Sequence, residues 1–260
     1  MRTPGADREL AAGFLLAEGV IRNADDLGTI AHCTDDRIRS ALGSRNEAGD
    51  GADGEEPVVR SAAPNIVNVT LANGSAAGIE RLMNDRRQVT ANSSCGVCGR
   101  RTIESLAAHA APVRASWTIP ASAITSLPAR LRTRQQVFDD TGGLHAAGLF
   151  ARGGTLVDVA EDVGRHNAVD KIVGRMLMRE ALPLDDYLLF VSGRTSFEIV
   201  QKAIYAGVPI VAAVSAPSTL AIELAEEFGV TLVGFVRGDA FNIYAHAERL
   251  AAETRFSGRV

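Results

Sequence analysis

Residues 187–236 decide the fold and read YLLFVSGRTSFEIVQKAIYAGVPIVAAVSAPSTLAIELAEEFGVTLVGFV. Three apolar runs, each short enough for a buried strand, lie within this stretch: 187–191, 210–214 and 231–236. Helical patterns over about 195–206 and 217–228 separate the runs. Strands that alternate with helices are typical of a three-layer domain built on a parallel sheet. We therefore predict an α/β fold for this part of the chain.

The residues before this stretch extend the same domain. Residues 144–150 and 155–159 predict a hairpin, because a turn that contains two glycines separates two apolar segments. Helical patterns cover about 121–138 and 165–179. Together these elements predict a three-layer α/β domain over residues 119–260.

Residues 1–118 have a different pattern and predict a smaller α+β domain. Asp7 is placed to cap a first helix, which then ends near a glycine. The apolar face of that helix is predicted to combine small alanines with three larger residues: Leu10, Phe14 and Leu15. Residues 28–34 and 65–71 are predicted to form strands.

The composition excludes several classes of protein. With 46% hydrophobic and 22% charged residues, the chain has enough apolar side chains for a real core. The formal net charge is −4, which argues against a nucleic-acid binder that depends on basic contacts to phosphate. No apolar stretch approaches the roughly 20 residues of a membrane helix. Three cysteines, an odd number, do not make a secreted disulfide framework, so we predict a reducing, cytoplasmic compartment.

Polar segments follow the predicted strands at the places where ligands bind in such sheets. There are four of them: 161–167, 192–196, 215–219 and 237–240. The first three begin helices, whose free N–H groups attract anions. Three arginines add guanidinium groups: Arg165, Arg194 and Arg237. Single hydroxyls at these places could serve only as helix caps, but their convergence favours a ligand that carries phosphate.

Two side chains in these segments suggest narrower roles. His166 begins a predicted helix, where a histidine is more often a structural hydrogen-bonding group than a catalyst. Asp239 could lie in a simple hairpin turn, but its carboxylate could also accept the paired N–H donors of guanine. Phe235 or Phe241 could then cover the face of the base.

Cys95-Gly96-Val97-Cys98 is the strongest local chemical signal. Structural zinc needs four ligands, and a second C-x-x-C pair is missing. A thioredoxin-like dithiol is a second reading, although Gly-Val is an unusual filling. A sulfur-carrying thiol is the third, since Arg100 and Arg101 would stabilise a thiolate. Spacing alone does not choose between the redox and the sulfur-carrying readings.

Several segments together resemble the FdhD family of formate dehydrogenase accessory sulfurtransferases. The most specific are SSCGVCG at 93–99 and EDVGRHNAVDK at 161–171. The other matching segments are 2–5, 192–194, 215–218 and 234–238. The resemblance therefore extends over nearly the whole chain.

The resemblance implies a specific reaction. Cys95 would accept persulfide sulfur from a cysteine desulfurase, with Cys98 as a supporting thiol. The sulfur would pass to the bis-molybdopterin guanine dinucleotide cofactor, with molybdenum or tungsten, before that cofactor enters formate dehydrogenase. The family's cofactor-binding segment corresponds here to six residues: Phe235, Val236, Arg237, Gly238, Asp239 and Ala240. Because the cofactor has two guanines and symmetric dimers are common, we expect a homodimer.

The second domain also resembles the cytidine deaminase fold. Deaminases place H-x-E at one helix start and P-C-x-x-C at the next. Here those starts read Arg165-His166-Asn167-Ala168 and Ser192-Gly193-Arg194-Thr195, without the glutamate or the cysteine ligands. We therefore expect neither zinc nor deaminase activity, and a scaffold kept for binding a nucleotide.

Two other functions remain open at this stage. The first is a non-catalytic chaperone that binds the cofactor and docks on formate dehydrogenase. The second is a dithiol oxidoreductase. Both would use the cysteine pair without carrying sulfur, so the chemistry of Cys95 distinguishes them from a sulfurtransferase.

Overall fold

A six-stranded sheet organises the C-terminal part of the chain. The structure is a computed structural model, and it describes residues 1–32, 66–72 and 110–251 together with Ile103 and Leu106. In this part of the chain the helices are α1 (Asp7–Ala17), α2 (Ala121–Arg132), α3 (Gln136–Thr141), α4 (Arg165–Met178), α5 (Phe197–Ala206) and α6 (Thr219–Phe228). The strands are β1 (Leu27–His32), β2 (Val67–Leu71), β3 (Ile119–Pro120), β4 (His145–Ala151), β5 (Leu156–Asp162), β6 (Tyr187–Val191), β7 (Ile210–Ala213), β8 (Thr231–Arg237), β9 (Ala240–Ala245) and β10 (Leu250–Ala251).

The order of strands in the large sheet is β5-β4-β6-β7-β8-β9. The central strands β6, β7 and β8 are parallel, and β4, β5 and β9 pair antiparallel with their neighbours. The sheet is therefore mixed: the parallel arrangement predicted from the three apolar runs is confirmed for β6, β7 and β8, and β4 and β5 form the predicted hairpin. Short turns make the pairs β4–β5 and β8–β9 antiparallel, whereas parallel strands need a crossover helix.

Helices cover both faces of this sheet, which confirms the predicted three-layer α/β fold. On one face, alternate strand residues such as Leu189 and Val211 pack in the same apolar cluster as α1, α4, α5 and α6. On the other face, α2 packs against Phe150 and Phe190, whose rings meet edge to face at 6.4 Å. The two-residue period of a strand explains why neighbouring residues serve opposite layers.

The predicted helix over 121–138 is two helices. The chain leaves the helical conformation after Arg132 and begins α3 at Gln136. The carboxylate of Glu161 accepts the N–H groups of Val137 and Phe138, at 3.0 and 2.9 Å. This distant side chain satisfies donors that a continuous helix would pair internally, and the local sequence did not reveal it.

The first helix forms where predicted, but two details of that prediction are wrong. Asp7 is the first residue of α1 and pairs with Arg2, while Ala6 is the N-cap residue. The predicted alanines are represented among the buried residues of α1, which are Ala12, Gly13, Leu16 and Ala17, but Leu10, Phe14 and Leu15 are only partly buried. The predicted face was only partly buried, because α1 lies against another helix at very short range.

Two glycines set that short range between α1 and α4. A Cβ at Gly174 would lie 1.8 Å from the carbonyl oxygen of Glu9, and a Cβ at Gly13 would lie 2.0 Å from that of Asp170. The two backbones are therefore in direct contact. The predicted boundary at residues 118 and 119 stays a prediction, and α1 shares one apolar core with the C-terminal sheet across it.

We expect Gly174→Ala to lower the free energy of unfolding by about 3 kcal/mol, because the added methyl group overlaps backbone that cannot move freely. Urea denaturation measures the change. Gly153→Ala is the matched control, since no atom lies within 4 Å of a Cβ there, and we expect a change below about 0.5 kcal/mol. Equal urea midpoints for the two variants would contradict the close contact of α1 and α4.

Candidate functional site at the carboxyl ends of the strands

The loops that follow β6, β7 and β8 lie side by side. The N–H of Thr195 donates to the carbonyl oxygen of Ala216 at 3.2 Å, and the N–H of Phe235 donates to that of Ser215 at 3.2 Å. The first bond joins the polar segments 192–196 and 215–219, and the donation from Arg237 Nε to the carbonyl oxygen of Val214, at 3.3 Å, brings the segment 237–240 beside them. The convergence expected of parallel strands is therefore present, and the ligand assigned to it stays a prediction.

The helices that begin at this edge are capped differently. Ser218 accepts the N–H of Ala221 at 3.3 Å and so caps α6 in the usual way. Gly164 precedes α4 and Ser196 precedes α5, and neither helix has a side-chain cap. Among the described residues, the first N–H groups of α4 and α5 thus have no side-chain cap, as the anion-binding prediction requires.

His166 joins the starts of α4 and α5. Its Nε2 lies 2.9 Å from the hydroxyl of Ser196, and its Nδ1 lies 3.2 Å from a carboxylate oxygen of Glu198. Burial lowers the pKa of His166 to about 4, although Glu198 alone would raise it. The ring is therefore neutral at pH 7, and the tautomer with its proton on Nδ1, the nitrogen that faces Glu198, leaves Nε2 to accept from Ser196.

A second histidine, His145, lies at the same edge of the sheet as His166. Burial, and then the charge of Arg165, lower the pKa of His145 below its usual value. A Cβ at Gly193 would lie 3.3 Å from Nδ1 of His145 and 3.7 Å from Cδ of Arg165, so the three residues are immediate neighbours. The Nε atom of Arg165 is buried without a hydrogen-bond acceptor among the described residues. The positive charge at this edge is thus not fully paired within the described residues.

The buried carboxylate of Asp162 connects the first residues of the chain to α4. It accepts the N–H groups of Thr3 and Gly164 and the amide of Asn167, at 3.0, 2.8 and 2.9 Å. It also pairs with Lys171 at 2.7 Å. Burial raises the pKa of Asp162, but the bond from Lys171 and the other donors outweigh that effect, and the net pKa lies below its usual value. The segments 2–5 and 161–171, both quoted for the family resemblance, therefore form one structural unit.

Lys202 and Asp170 form a second buried ion pair near His166, which the sequence analysis did not predict. Lys202 lies 2.8 Å from Asp170 and 3.4 Å from Glu198. Burial raises the pKa of Asp170 to about 6, even though Lys202 opposes the effect. Nothing in the sequence predicts that Lys202 and Asp170 are buried, because a charged residue in a helix is normally assigned to the solvent-exposed face.

The predicted cofactor segment 235–240 comprises the end of β8, the two-residue turn at 238–239 and the first residue of β9. Phe235 is exposed and has a left-handed φ of 53°, and Val236 is buried. Arg237 donates to the carbonyl oxygen of Val214 at 3.3 Å, and its guanidinium lies 5.9 Å from the centre of the Phe235 ring. Gly238 and Asp239 form the exposed turn, and the exposed Ala240 begins β9. The hairpin-turn reading is correct as geometry, and the cofactor role stays a prediction.

Cys95 and Cys98 lie outside the described residues, and so does Cys33. Within the described part of the chain, no three His, Cys, Asp or Glu side chains come together as metal ligands. Since all three cysteines are outside it, the prediction about zinc stays a prediction. Among the described residues, no helix combines the length and the apolar character that crossing a membrane requires.

Comparisons with known proteins point in one direction. Residues 1–251 match the FdhD/NarQ family. The sulfur carrier protein FdhD of Mycolicibacterium paratuberculosis is 47% identical over 253 residues, which cover 96% of this chain and 84% of that protein. The sulfur carrier protein FdhD of Streptomyces avermitilis is 48% identical over 259 residues, which cover 96% of this chain and 82% of that protein.

One solved structure shares the fold over most of its length. It comes from Desulfotalea psychrophila, was assigned as a formate dehydrogenase accessory protein, and is 24% identical to this chain with a TM-score of 0.66. The match covers 96% of this chain and 82% of that one. At this level of identity the likeness establishes the common fold.

We expect Asp162→Asn to lower the free energy of unfolding by about 3 kcal/mol, because it leaves the buried charge of Lys171 without its partner. Asp139→Asn is the control: that side chain pairs with Arg132 at the exposed surface, where about 1 kcal/mol or less is at stake. Urea denaturation compares the two.

The pH dependence gives a second test of Asp162. A lowered folded pKa means that its contribution to stability is fully present above the unfolded pKa, about 3.9, and is lost as the pH falls through the folded value. The parent protein should therefore lose stability below pH ~4 more steeply than Asp162→Asn. Identical acid profiles would contradict an ionised Asp162.

Proposed function

This chain belongs to the FdhD/NarQ family, and from that premise we propose that it is a sulfur carrier required for formate dehydrogenase activity. The observation that carries the proposal is the similarity to proteins named sulfur carrier protein FdhD over 96% of the chain. The family match over residues 1–251 spans both the cysteine segment 93–99 and the segment 161–171. The shared fold with a protein assigned as a formate dehydrogenase accessory protein supports it.

The proposed chemistry begins at Cys95 and is that of a sulfurtransferase. Its thiolate attacks the outer sulfur of a cysteine desulfurase persulfide, the S–S bond breaks, and the desulfurase cysteine leaves as a thiolate. Cys95 then carries the sulfur as its own persulfide. Arg100 and Arg101 follow the loop in the sequence and would stabilise the attacking thiolate.

Cys98 provides a route for release. Its thiolate attacks the inner sulfur of the Cys95 persulfide, a Cys95–Cys98 disulfide forms, and hydrosulfide leaves toward the metal of the bound cofactor. No external oxidant is needed, because the persulfide supplies the oxidising equivalent that ends in the disulfide. A cellular thiol must then reduce the disulfide before the next cycle.

The acceptor is proposed to be bis-molybdopterin guanine dinucleotide, with molybdenum or tungsten, which binds as cargo at the strand ends. In the segment 235–240, the exposed Asp239 is offered to the N–H donors of guanine and the exposed Phe235 ring to its face. The open N-terminus of α4 suits its phosphates. Formate dehydrogenase would receive the sulfurated cofactor, and a homodimer would present one such site for each guanine.

We expect Cys95 to gain the mass of one sulfur atom when the protein is incubated with a cysteine desulfurase and cysteine. Intact-protein mass spectrometry under non-reducing conditions measures the gain, and a reducing thiol should remove it. Cys95→Ser should gain nothing, whereas Cys33→Ser, the control, should gain as much as the parent protein.

Two results would contradict the role of Cys95. One is an equal mass gain in Cys95→Ser. The other is full formate oxidation in a deletion strain that carries Cys95→Ser, which would favour the non-catalytic chaperone.

The guanine reading of Asp239 predicts a preference for GDP over IDP, since inosine lacks the exocyclic amine of guanine. We expect Asp239→Ala to weaken GDP binding about tenfold and to leave IDP binding much less affected. Isothermal calorimetry on both nucleotides measures this. Asp186→Ala, on a different loop, serves as the control and should keep the preference for GDP. The assignment would be refuted if Asp186→Ala lost this preference or if Asp239→Ala kept it.

A further inference from the structure

Ser196, His166 and Glu198 follow one another in space: a hydrogen bond joins the first two, and a close charge contact joins the last two. The hydroxyl of Ser196 lies 2.9 Å from Nε2 of His166, and Nδ1 of the same ring lies 3.2 Å from Glu198. A neutral imidazole between a hydroxyl and a carboxylate is the arrangement that activates serine nucleophiles. The order of contacts is hydroxyl, base and orienting acid.

The carboxylate of Glu198 is itself held in place. One oxygen of Glu198 faces His166, and the other lies 3.4 Å from the ammonium of Lys202 one helical turn along α5. Lys202 is buried and also pairs with Asp170 at 2.8 Å. The ammonium of Lys202 holds the Glu198 carboxylate beside Nδ1 of His166. The negative charge there favours the tautomer with the proton on Nδ1, in which Nε2 can accept a proton from Ser196.

Ser196 occupies a position at which serine normally caps a helix, yet it does not cap α5. Ser218 occupies the same position in α6 and does accept an N–H of its own helix. The hydroxyl of Ser196 is thus directed to His166, and the N–H groups of Phe197 and Glu198 have no acceptor among the described residues. Two such N–H groups directly after a serine, at a strand–turn–helix junction, can stabilise an oxyanion.

We propose that Ser196 is a nucleophile that accepts an acyl group from an ester or thioester bearing negative charge, with His166 as its base. Ser196 Oγ bonds to the acyl carbon and gives its proton to Nε2 of His166. The bond from that carbon to the leaving alcohol or thiol then breaks, and His166 returns the proton to it. Water repeats the same steps and frees Ser196. Glu198 is a positioning residue.

The charge of the substrate follows from the neighbouring arginine. The charge of Arg165 is near enough to lower the pKa of both His166 and His145, and its buried Nε has no described acceptor. An anionic acyl group would provide that acceptor. Burial keeps His166 neutral despite Glu198, so the base is in its proton-accepting form at pH 7.

Diisopropyl fluorophosphate tests the nucleophile directly on the full chain. We expect one organophosphoryl group per chain, located on Ser196 by peptide mass spectrometry, with loss of fluoride. Ser196→Ala should take up none, and Ser218→Ala, whose hydroxyl caps its helix, should take up as much as the parent protein. An unlabelled parent protein, or a label on any other residue, overturns the proposal whatever the variants do.

The supporting residues are tested by the rate of labelling. We expect His166→Gln to slow it by about 100-fold or more. Glu198→Gln should slow it as well, and the conservative Glu198→Asp should recover most of the rate, which a purely structural role would not produce. An unchanged rate in His166→Gln overturns the role of the base, with circular dichroism confirming that each variant is folded.

Hydrolysis of two model esters tests the substrate class. We expect the anionic 4-nitrophenyl hemisuccinate to be hydrolysed at least about tenfold faster, in kcat/KM, than neutral 4-nitrophenyl acetate. Ser196→Ala should abolish both activities, and Arg165→Gln should remove the preference. Equal rates on the two esters in the parent protein contradict the anionic substrate. Cys95→Ser should leave all of these results unchanged, which separates them from the sulfur-carrier function.

Discussion

The buried carboxylate of Asp162 is the contact on which the arrangement of the site depends. It lies where β5 ends and α4 begins, and it binds the N–H of Gly164, the residue that precedes the helix. It also binds Thr3 and Lys171, and thereby fixes the chain's first residues against α4. Because a fully buried carboxylate must have its oxygens satisfied, this set of donors specifies one path for the chain at the start of α4. The position of His166 follows from that path.

The strands and most helices could be predicted from the sequence because their apolar periods are local properties. The run 187–191 is buried as β6, and the helix predicted over 195–206 is α5 from Phe197. Prediction failed where a distant group decided the outcome. Glu161 begins α3 by accepting the N–H groups of Val137 and Phe138, and no pattern within 121–138 contains that information.

The site could be predicted in part for the same reason. Parallel strands bring their carboxyl ends together, so the grouping of the loops near 192–196 and 215–219 was derivable from topology. Topology did not reveal that Ser218 caps its helix whereas Ser196 does not. Both are serines before a helix, and only the tertiary neighbour His166 directs the first hydroxyl away from its own helix. Likewise, the burial of Lys202 depends on Asp170 from α4, which the sequence leaves unspecified.

The contact between Gly13 and Asp170, and between Gly174 and Glu9, has a mechanical consequence. Ordinary helix pairs are separated by side chains that can change rotamer and absorb small displacements. Here the two main chains are in direct contact, with no side chains between them, so we expect α1 and α4 to move as one rigid unit. When a binding partner displaces α1, we therefore expect α4 to move with it. The imidazole of His166, in the first turn of α4, then changes position as well.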